Sequence, residues 1–83
     1  TPEQQRELVK LQRRILDTVW QYVKPGGTLL YSTCTVHKAE NEGNTEWFLA
    51  HHPFVLTEQV QMLPGIDPWD GFYIAKMERK RHD

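Results

Sequence analysis

The residue of this sequence best suited to covalent chemistry is Cys34, the single cysteine among 83 residues. It directly follows the strand-forming run 28–33 and precedes a helical segment by a few residues. Ligands of open α/β sheets bind outside the carboxyl ends of parallel strands, so the sulfur is expected at the functional edge of a sheet. The next helix's N-terminus favours the thiolate, the form that attacks carbon. The same position also suits an inert, buried cysteine.

Polar residues downstream of Cys34 offer further candidates. His37 could polarise the thiol, or it could be a solvated loop histidine. Glu40 and Asn41 could position the nucleophile loop or simply belong to the start of a helix. We interpret Glu42 as complementing the helix dipole, an effect of about 0.3–1 kcal/mol.

The elements that must position Cys34 begin with a predicted helix over residues 3–23. Apolar side chains recur in it at helical spacing and predict an amphipathic helix. They are Leu8, Leu11, Ile15, Leu16, Val19, Trp20 and Val23. Pro25 and the two glycines after it end the helix, because they do not comfortably continue it.

Three strands and a second helix follow. The pattern predicts a buried strand over 28–33, a helix over 38–51, a short strand over 54–57, a loop over 58–71 and a central strand over 72–77. A strand, crossover helix and strand imply a parallel pair, whereas the last two strands are joined by a loop and should end the sheet antiparallel. The order indicates an α/β fold that is the end of a larger doubly wound sheet.

Composition limits the class of protein. Apolar residues make up 39% and charged residues 25%, which is typical of a soluble globular domain. No apolar run approaches the roughly 20 residues that span a bilayer, and the charged start lacks the apolar core of a signal peptide. A single cysteine and no zinc-type ligand spacing favour a reducing, cytoplasmic setting without a metal. The net charge of −1 provides no general attraction to nucleic acid.

The stretch around Cys34 resembles a known motif. It reads Pro25-Gly26-Gly27-Thr28-Leu29-Leu30-Tyr31-Ser32-Thr33-Cys34-Thr35-Val36, followed by Glu40-Asn41-Glu42. This pattern is similar to the sixth motif of the RNA cytosine-5 methyltransferases, and among them to the bacterial small-subunit ribosomal RNA methyltransferase B group, also called Sun or Fmu. The similarity continues through Leu11-Gln12, Ile15-Leu16, Phe48-Leu49, His52-Pro53, Leu63-Pro64 and Asp70-Gly71-Phe72-Tyr73-Ile74-Ala75.

The resemblance implies a fold and a reaction. The fold is the C-terminal part of a Rossmann-like class I methyltransferase sheet, with residues 1–83 as a C-terminal fragment of the catalytic domain. The reaction is methylation of cytosine carbon 5 in small-subunit ribosomal RNA, with Cys34 as covalent nucleophile. The glycine-rich donor loop, the acidic ribose-binding residue and the Asp-x-Pro-Cys motif of such enzymes precede this region. We therefore expect S-adenosylmethionine to bind the part of the enzyme missing here.

Further residues are expected next to the substrate. They are Thr33, Thr35, Glu40, Asn41, Trp69 and Asp70. Trp69 either stacks on a base, a contact worth about 1–3 kcal/mol, or covers the small core. The family often has Pro-Glu where this chain has Lys38-Ala39, so we expect the second helix to start differently.

Two other functions fit the sequence. The chain could be a non-catalytic module that binds RNA or protein, or Cys34 could serve another cysteine enzyme such as a hydrolase. A hydrolase needs a base near the thiol, and His37 is the nearby candidate. Comparing thiol reactivity in the wild type and in His37→Ala would separate these cases.

The 83-residue chain alone is predicted neither to bind S-adenosylmethionine nor to methylate RNA. It has no glycine-rich loop of the kind that meets such a cofactor. Calorimetric titration of the chain with the donor should give no heat of binding, and micromolar affinity would contradict the fragment interpretation.

Overall fold

The computed structural model describes residues 1–35, 37–62 and 71–81. Within these ranges the chain forms two α-helices and three strands. They are α1 (Pro2–Val19, continued by a 3-10 turn at Trp20–Tyr22), β1 (Thr28–Thr33), α2 (Glu42–His51), β2 (Phe54–Met62) and β3 (Phe72–Arg79).

Helix α1 has a defined start and a tightened end. Thr1 accepts a hydrogen bond from the Gln4 backbone, and the Gln4 side chain accepts one from the Thr1 amine, forming a capping box with Pro2 at the first turn. The α-helix ends at Val19, before the predicted limit at residue 23, because the backbone tightens into the 3-10 turn. Val23 is already extended.

The sheet has the order β1-β3-β2, and β3 is antiparallel to both neighbours. The predictions of a central third strand and of an antiparallel ending are therefore confirmed. The prediction that the first two strands form a parallel pair is wrong. They run in the same direction, but β3 lies between them and takes the hydrogen bonds of both. Tyr73, Ala75 and Met77 are fully buried on one face of β3, which suits a strand paired at both edges.

Strand β2 is longer than the predicted 54–57. A bulge lies between Leu56 and Glu58, and pairing with β3 resumes beyond it up to Met62. Thr57 donates its hydroxyl to Lys76 O at 3.0 Å and so stays attached to the sheet. Residues 58–62 of the predicted loop thus belong to a strand, and residues 63–70 lie outside the described part of the chain.

The core lies between the helices and one face of the sheet. Its most buried apolar members are Leu16, Phe48, Phe54 and Met77, each at most 3% exposed. Helix α2 begins at Glu42 rather than at residue 38. The four residues before it form hydrogen-bonded turns, in which Gly43 N donates to Lys38 O at 2.8 Å.

His52 ties the end of α2 to α1. Its Nε2 lies 2.7 Å from Asp17 Oδ1, and its ring centroid lies 4.8 Å from those of both Trp20 and Phe48. Since α1 leads into β1 and α2 follows Cys34, this contact holds together the two helices on either side of the candidate nucleophile.

An apolar surface remains exposed where α1 meets β1. Leu8, Leu11 and Ile15 are 42–52% exposed, and Leu30 of β1 is 64% exposed. A groove of about 320 Å³ runs between the helix and the strand. Within the described residues, β1 pairs with β3 alone, so its other edge has no strand beside it.

The isolated chain is predicted to self-associate through this surface. An unpaired, apolar strand edge is a template for pairing with another chain, and an exposed apolar patch favours association. Sedimentation over a concentration series should show dimers or larger species. Leu30→Lys should reduce them, because a charge disfavours edge pairing.

Val60→Lys supplies the matched control, since Val60 is also exposed (44%) but lies on β2 at the opposite edge of the sheet. It should leave association through β1 intact. A compact monomer of the wild-type chain at every concentration would contradict the prediction.

Candidate active site

Cys34 lies where β1 ends. The ladder to β3 closes with the pair Thr33 and Tyr73, and the chain bends at the next residue. The cysteine is exposed. Its sulfur therefore does not belong to the core formed by the described residues.

One buried side chain holds both neighbours of Cys34. The Thr33 hydroxyl donates to Asn41 Oδ1, and Asn41 Nδ2 donates to the carbonyl of Thr35 at 2.9 Å. Asn41 itself is 0% exposed. The bend that carries Cys34 is thus anchored on each side to the turn before α2.

The same amide reaches across the sheet. Asn41 Nδ2 also donates to Gln61 Oε1 at 2.8 Å, and Gln61 Nε2 donates to Phe72 O at 3.0 Å. Thr33 and Gln61 both pair with Tyr73, from opposite sides, so the three form one row across the sheet. Residues directly opposite each other in a sheet share a face, so Asn41 bridges the two ends of this row.

A second polar cluster surrounds Tyr31, two residues before Thr33 on β1. Tyr31 donates its hydroxyl to Glu40 O at 2.5 Å, and Asn44 Nδ2 donates to the Tyr31 hydroxyl at 3.0 Å. The Glu40 side chain is buried, and its carboxylate accepts from Gln12 of α1 at 3.2 Å. Arg13 Nε donates to Asn44 Oδ1 at 2.9 Å. This cluster fixes α1 against the turn.

Two phenols hold their protons in this interior. Burial raises the pKa of Tyr31, against the lowering effect of the hydrogen bond from Asn44. Burial likewise raises the pKa of Tyr73, whose hydroxyl lies 2.7 Å from Thr45 Oγ1 and donates to Gln59 Oε1 at 2.6 Å. Both phenols are therefore protonated at neutral pH and act as donors.

The remaining predicted site residues divide into two groups. His37 is exposed, its backbone N–H donates to Thr35 Oγ1 at 3.2 Å, and no hydrogen bond between its ring and Cys34 occurs among residues 1–35 and 37–62. The base that a cysteine hydrolase needs thus has no support from this geometry. Trp69 and Asp70 lie outside the described residues.

Sequence reasoning missed Asn44, Tyr31 and Gln61. A signal for Asn44 existed, since Asn41, Asn44 and Thr45 recur at the spacing of one helix face that also carries Phe48. Polar residues on an inward face indicate a buried hydrogen-bond network. No such signal marked Gln61, because it fell in a segment predicted as loop.

Among the described residues, no group of three or more His, Cys, Asp and Glu side chains could hold a metal ion. No helix in that part of the chain has the length and apolar character needed to cross a membrane.

The sequence model described as 16S rRNA methyltransferase RsmB/F matches residues 1–78. The chain belongs to this family. This match confirms the family resemblance inferred from the motif around Cys34, and that motif lies within the matched residues.

Curated relatives agree with the family. The chain is 44% identical over 82 residues to a protein of Salmonella arizonae named ribosomal RNA small subunit methyltransferase B, covering 89% of this chain and 19% of that protein. It is 38% identical over 84 residues to the protein of the same name from Klebsiella pneumoniae, covering 92% and 20% respectively. The chain thus spans about a fifth of the length of the curated RsmB/F relatives it matches.

Solved structures share the fold. A methyltransferase homologue from Pyrococcus horikoshii superposes with a TM-score of 0.91 at 26% identity, covering 95% of this chain and 33% of that chain. A second structure superposes with a TM-score of 0.84 at 37% identity, covering 89% and 20%. The predicted α/β fold of a methyltransferase is confirmed for this RsmB/F chain.

Removing one hydroxyl from the buried interior should destabilise the protein. Tyr73→Phe leaves the buried Thr45 hydroxyl without its partner at 2.7 Å, and an unsatisfied buried polar group costs about 1–3 kcal/mol. Urea unfolding of the complete enzyme should show the loss. The control Tyr22→Phe alters a phenol on a side chain that is 80% exposed and should change stability by less than about 0.5 kcal/mol. Equal effects of the two variants would contradict the assigned network.

Proposed function

We propose that this chain is the nucleophile-bearing C-terminal part of an enzyme that methylates carbon 5 of a cytosine in small-subunit ribosomal RNA. The observation that carries the proposal is the exposed Cys34 at the carboxyl end of β1, inside the motif of an rRNA methyltransferase family. The names of the relatives supply the substrate class. A ribosomal RNA substrate also favours a cytoplasmic enzyme.

Cys34 supplies the reactivity that cytosine lacks. Carbon 5 of the base is a poor nucleophile. The Cys34 thiolate forms a bond to carbon 6, and the electron pair of the 5,6 double bond moves toward carbon 5, which can then accept a methyl group. A base next removes the proton of carbon 5, the double bond re-forms, and the bond between sulfur and carbon 6 breaks to release the thiolate. Covalent catalysis thus divides one difficult step into easier ones.

S-adenosylmethionine would supply the methyl group as a methyl cation equivalent. No glycine-rich loop of the kind that meets such a donor follows β1, whose last residue, Thr33, leads directly into Cys34 and Thr35. We therefore assign the donor site to the part of the enzyme that precedes these residues in the longer relatives.

The neighbours of Cys34 are proposed to border the RNA. Thr33 and Thr35 flank the nucleophile, and Asn41 contacts both. Glu40 contributes its backbone carbonyl and carboxylate to the cluster behind them. Trp69 and Asp70 belong to the connection between β2 and β3 and are proposed to approach the substrate from that side, Trp69 by stacking on a base.

Replacing the nucleophile should abolish the reaction. In the complete enzyme, Cys34→Ser and Cys34→Ala should eliminate both methyl transfer to ribosomal RNA and covalent trapping on RNA that contains 5-fluorocytosine. Fluorine at carbon 5 cannot be lost as a proton is, so the adduct with Cys34 persists in the wild type. Transfer of labelled methyl groups and gel analysis of the adduct measure the two effects. Methyl transfer at near wild-type rate in either variant would reject the assignment of Cys34.

A further inference from the structure

The side chain of Cys34 is exposed, so the backbone on its two sides must set where its sulfur lies. Regular pairing ends at Thr33, directly before the cysteine. We propose that Asn41 is the positioning residue for this thiol and that Gln61 is its anchor on the sheet. The inference rests on the proposed function, in which Cys34 is the nucleophile.

The hydrogen bonds of Asn41 define a single orientation of its amide. The carbonyl of Thr35 can only accept, so the Asn41 nitrogen must face it, and the amide oxygen then faces the Thr33 hydroxyl. The second N–H of the nitrogen goes to Gln61 Oε1. Both donors are used, and the residue is 0% exposed. Any rotation would leave a buried donor unpaired, which costs about 1–3 kcal/mol.

Gln61 holds the Asn41 amide in this orientation from the sheet, outside the segment that carries Cys34. Its Nε2 donates to Met62 O at 3.2 Å and to Phe72 O at 3.0 Å, so its amide oxygen is left to accept from Asn41. The anchor therefore consists of the end of β2 and the start of β3. Cys34 is connected through Asn41 to two strands that are distant from it in sequence.

This connection should affect the rate at which Cys34 attacks carbon 6 and not the kind of reaction that follows. Asn41 contacts the residues before and after Cys34. It acts through the backbone. A nucleophile must approach its target carbon within a narrow range of distances and angles, and a displacement of about 1 Å can cost roughly a hundredfold in rate. Loss of the Asn41 amide should slow the attack on carbon 6 without altering how RNA binds.

The test compares Asn41→Ala with Asn44→Ala in the complete enzyme. Both asparagines are 0% exposed and both donate to a backbone carbonyl, but Asn44 contacts Tyr31, Glu40 and α1 rather than the neighbours of Cys34. The readouts are the single-turnover rate of adduct formation on 5-fluorocytosine RNA, corrected for the folded fraction, and the affinity for unmodified RNA. Asn41→Ala should reduce the rate roughly tenfold to a hundredfold with unchanged affinity. Asn44→Ala should lower stability and leave the corrected rate unchanged.

Thr33→Val covers the case in which Asn41→Ala does not fold. It removes the hydroxyl that donates to Asn41, on a half-buried side chain, and should also lower the adduct rate at saturating RNA. Wild-type rates in Thr33→Val and in any folded Asn41→Ala would overturn the inference. So would an equal fall in Asn44→Ala.

Failure of the proposed function gives a different result. If wild-type enzyme forms no adduct, or if the adduct persists in Cys34→Ala, the assignment of the nucleophile is wrong. If the adduct depends on Cys34 but its rate is unchanged in Asn41→Ala, the nucleophile assignment stands. Only the positioning role is then rejected.

Discussion

The structure depends on the placement of β3 between β1 and β2. One of the two outer strands ends before Cys34 and the other contains Gln61. They are not hydrogen-bonded neighbours, and their common partner holds both in register. Tyr73 pairs with Thr33 on one side and with Gln61 on the other. Because directly opposed residues share a face, this register alone brings a side chain from each outer strand to the same side of the sheet as α2.

The bulge in β2 is needed for the same arrangement. Side chains alternate between the two faces of a strand, and one extra residue reverses the alternation. Before the bulge the buried residue is Phe54, which packs against Phe48. After it, Gln59 and Gln61 oppose Ala75 and Tyr73, and their amide oxygens accept hydrogen bonds from the Tyr73 hydroxyl and from Asn41. Strand β2 is thus apolar at its start and carries two glutamine amides toward the end that lies near the candidate site.

This explains which features could be predicted. The strand over 28–33 was recognisable because β-forming residues lie between a glycine pair and a cysteine, and its observed limits are the same. The resemblance around Cys34 identified the family. The central position of the third strand was predicted, but its insertion between β1 and β2 was not, since the rule for a strand-helix-strand unit does not exclude a later strand entering between them. The bulge was equally hidden, because no glycine or proline marks residues 56–58.

The polarity of the interior changes along the sheet, from an apolar end to a polar end that lies nearest Cys34. Rows of opposed residues can be followed from the amino end of β1, where Leu29 opposes Met77, through Tyr31 and Ala75, to Thr33 and Tyr73 at the end nearest Cys34. The first row is apolar and joins the core, whereas the last two supply hydroxyls to buried amides. Burying such groups is costly unless each is hydrogen bonded, and the network around Asn41 and Asn44 meets that requirement. An apolar row in the same place would leave the bend at Cys34 without the directional hydrogen bonds that Asn41 makes to Thr33 and Thr35.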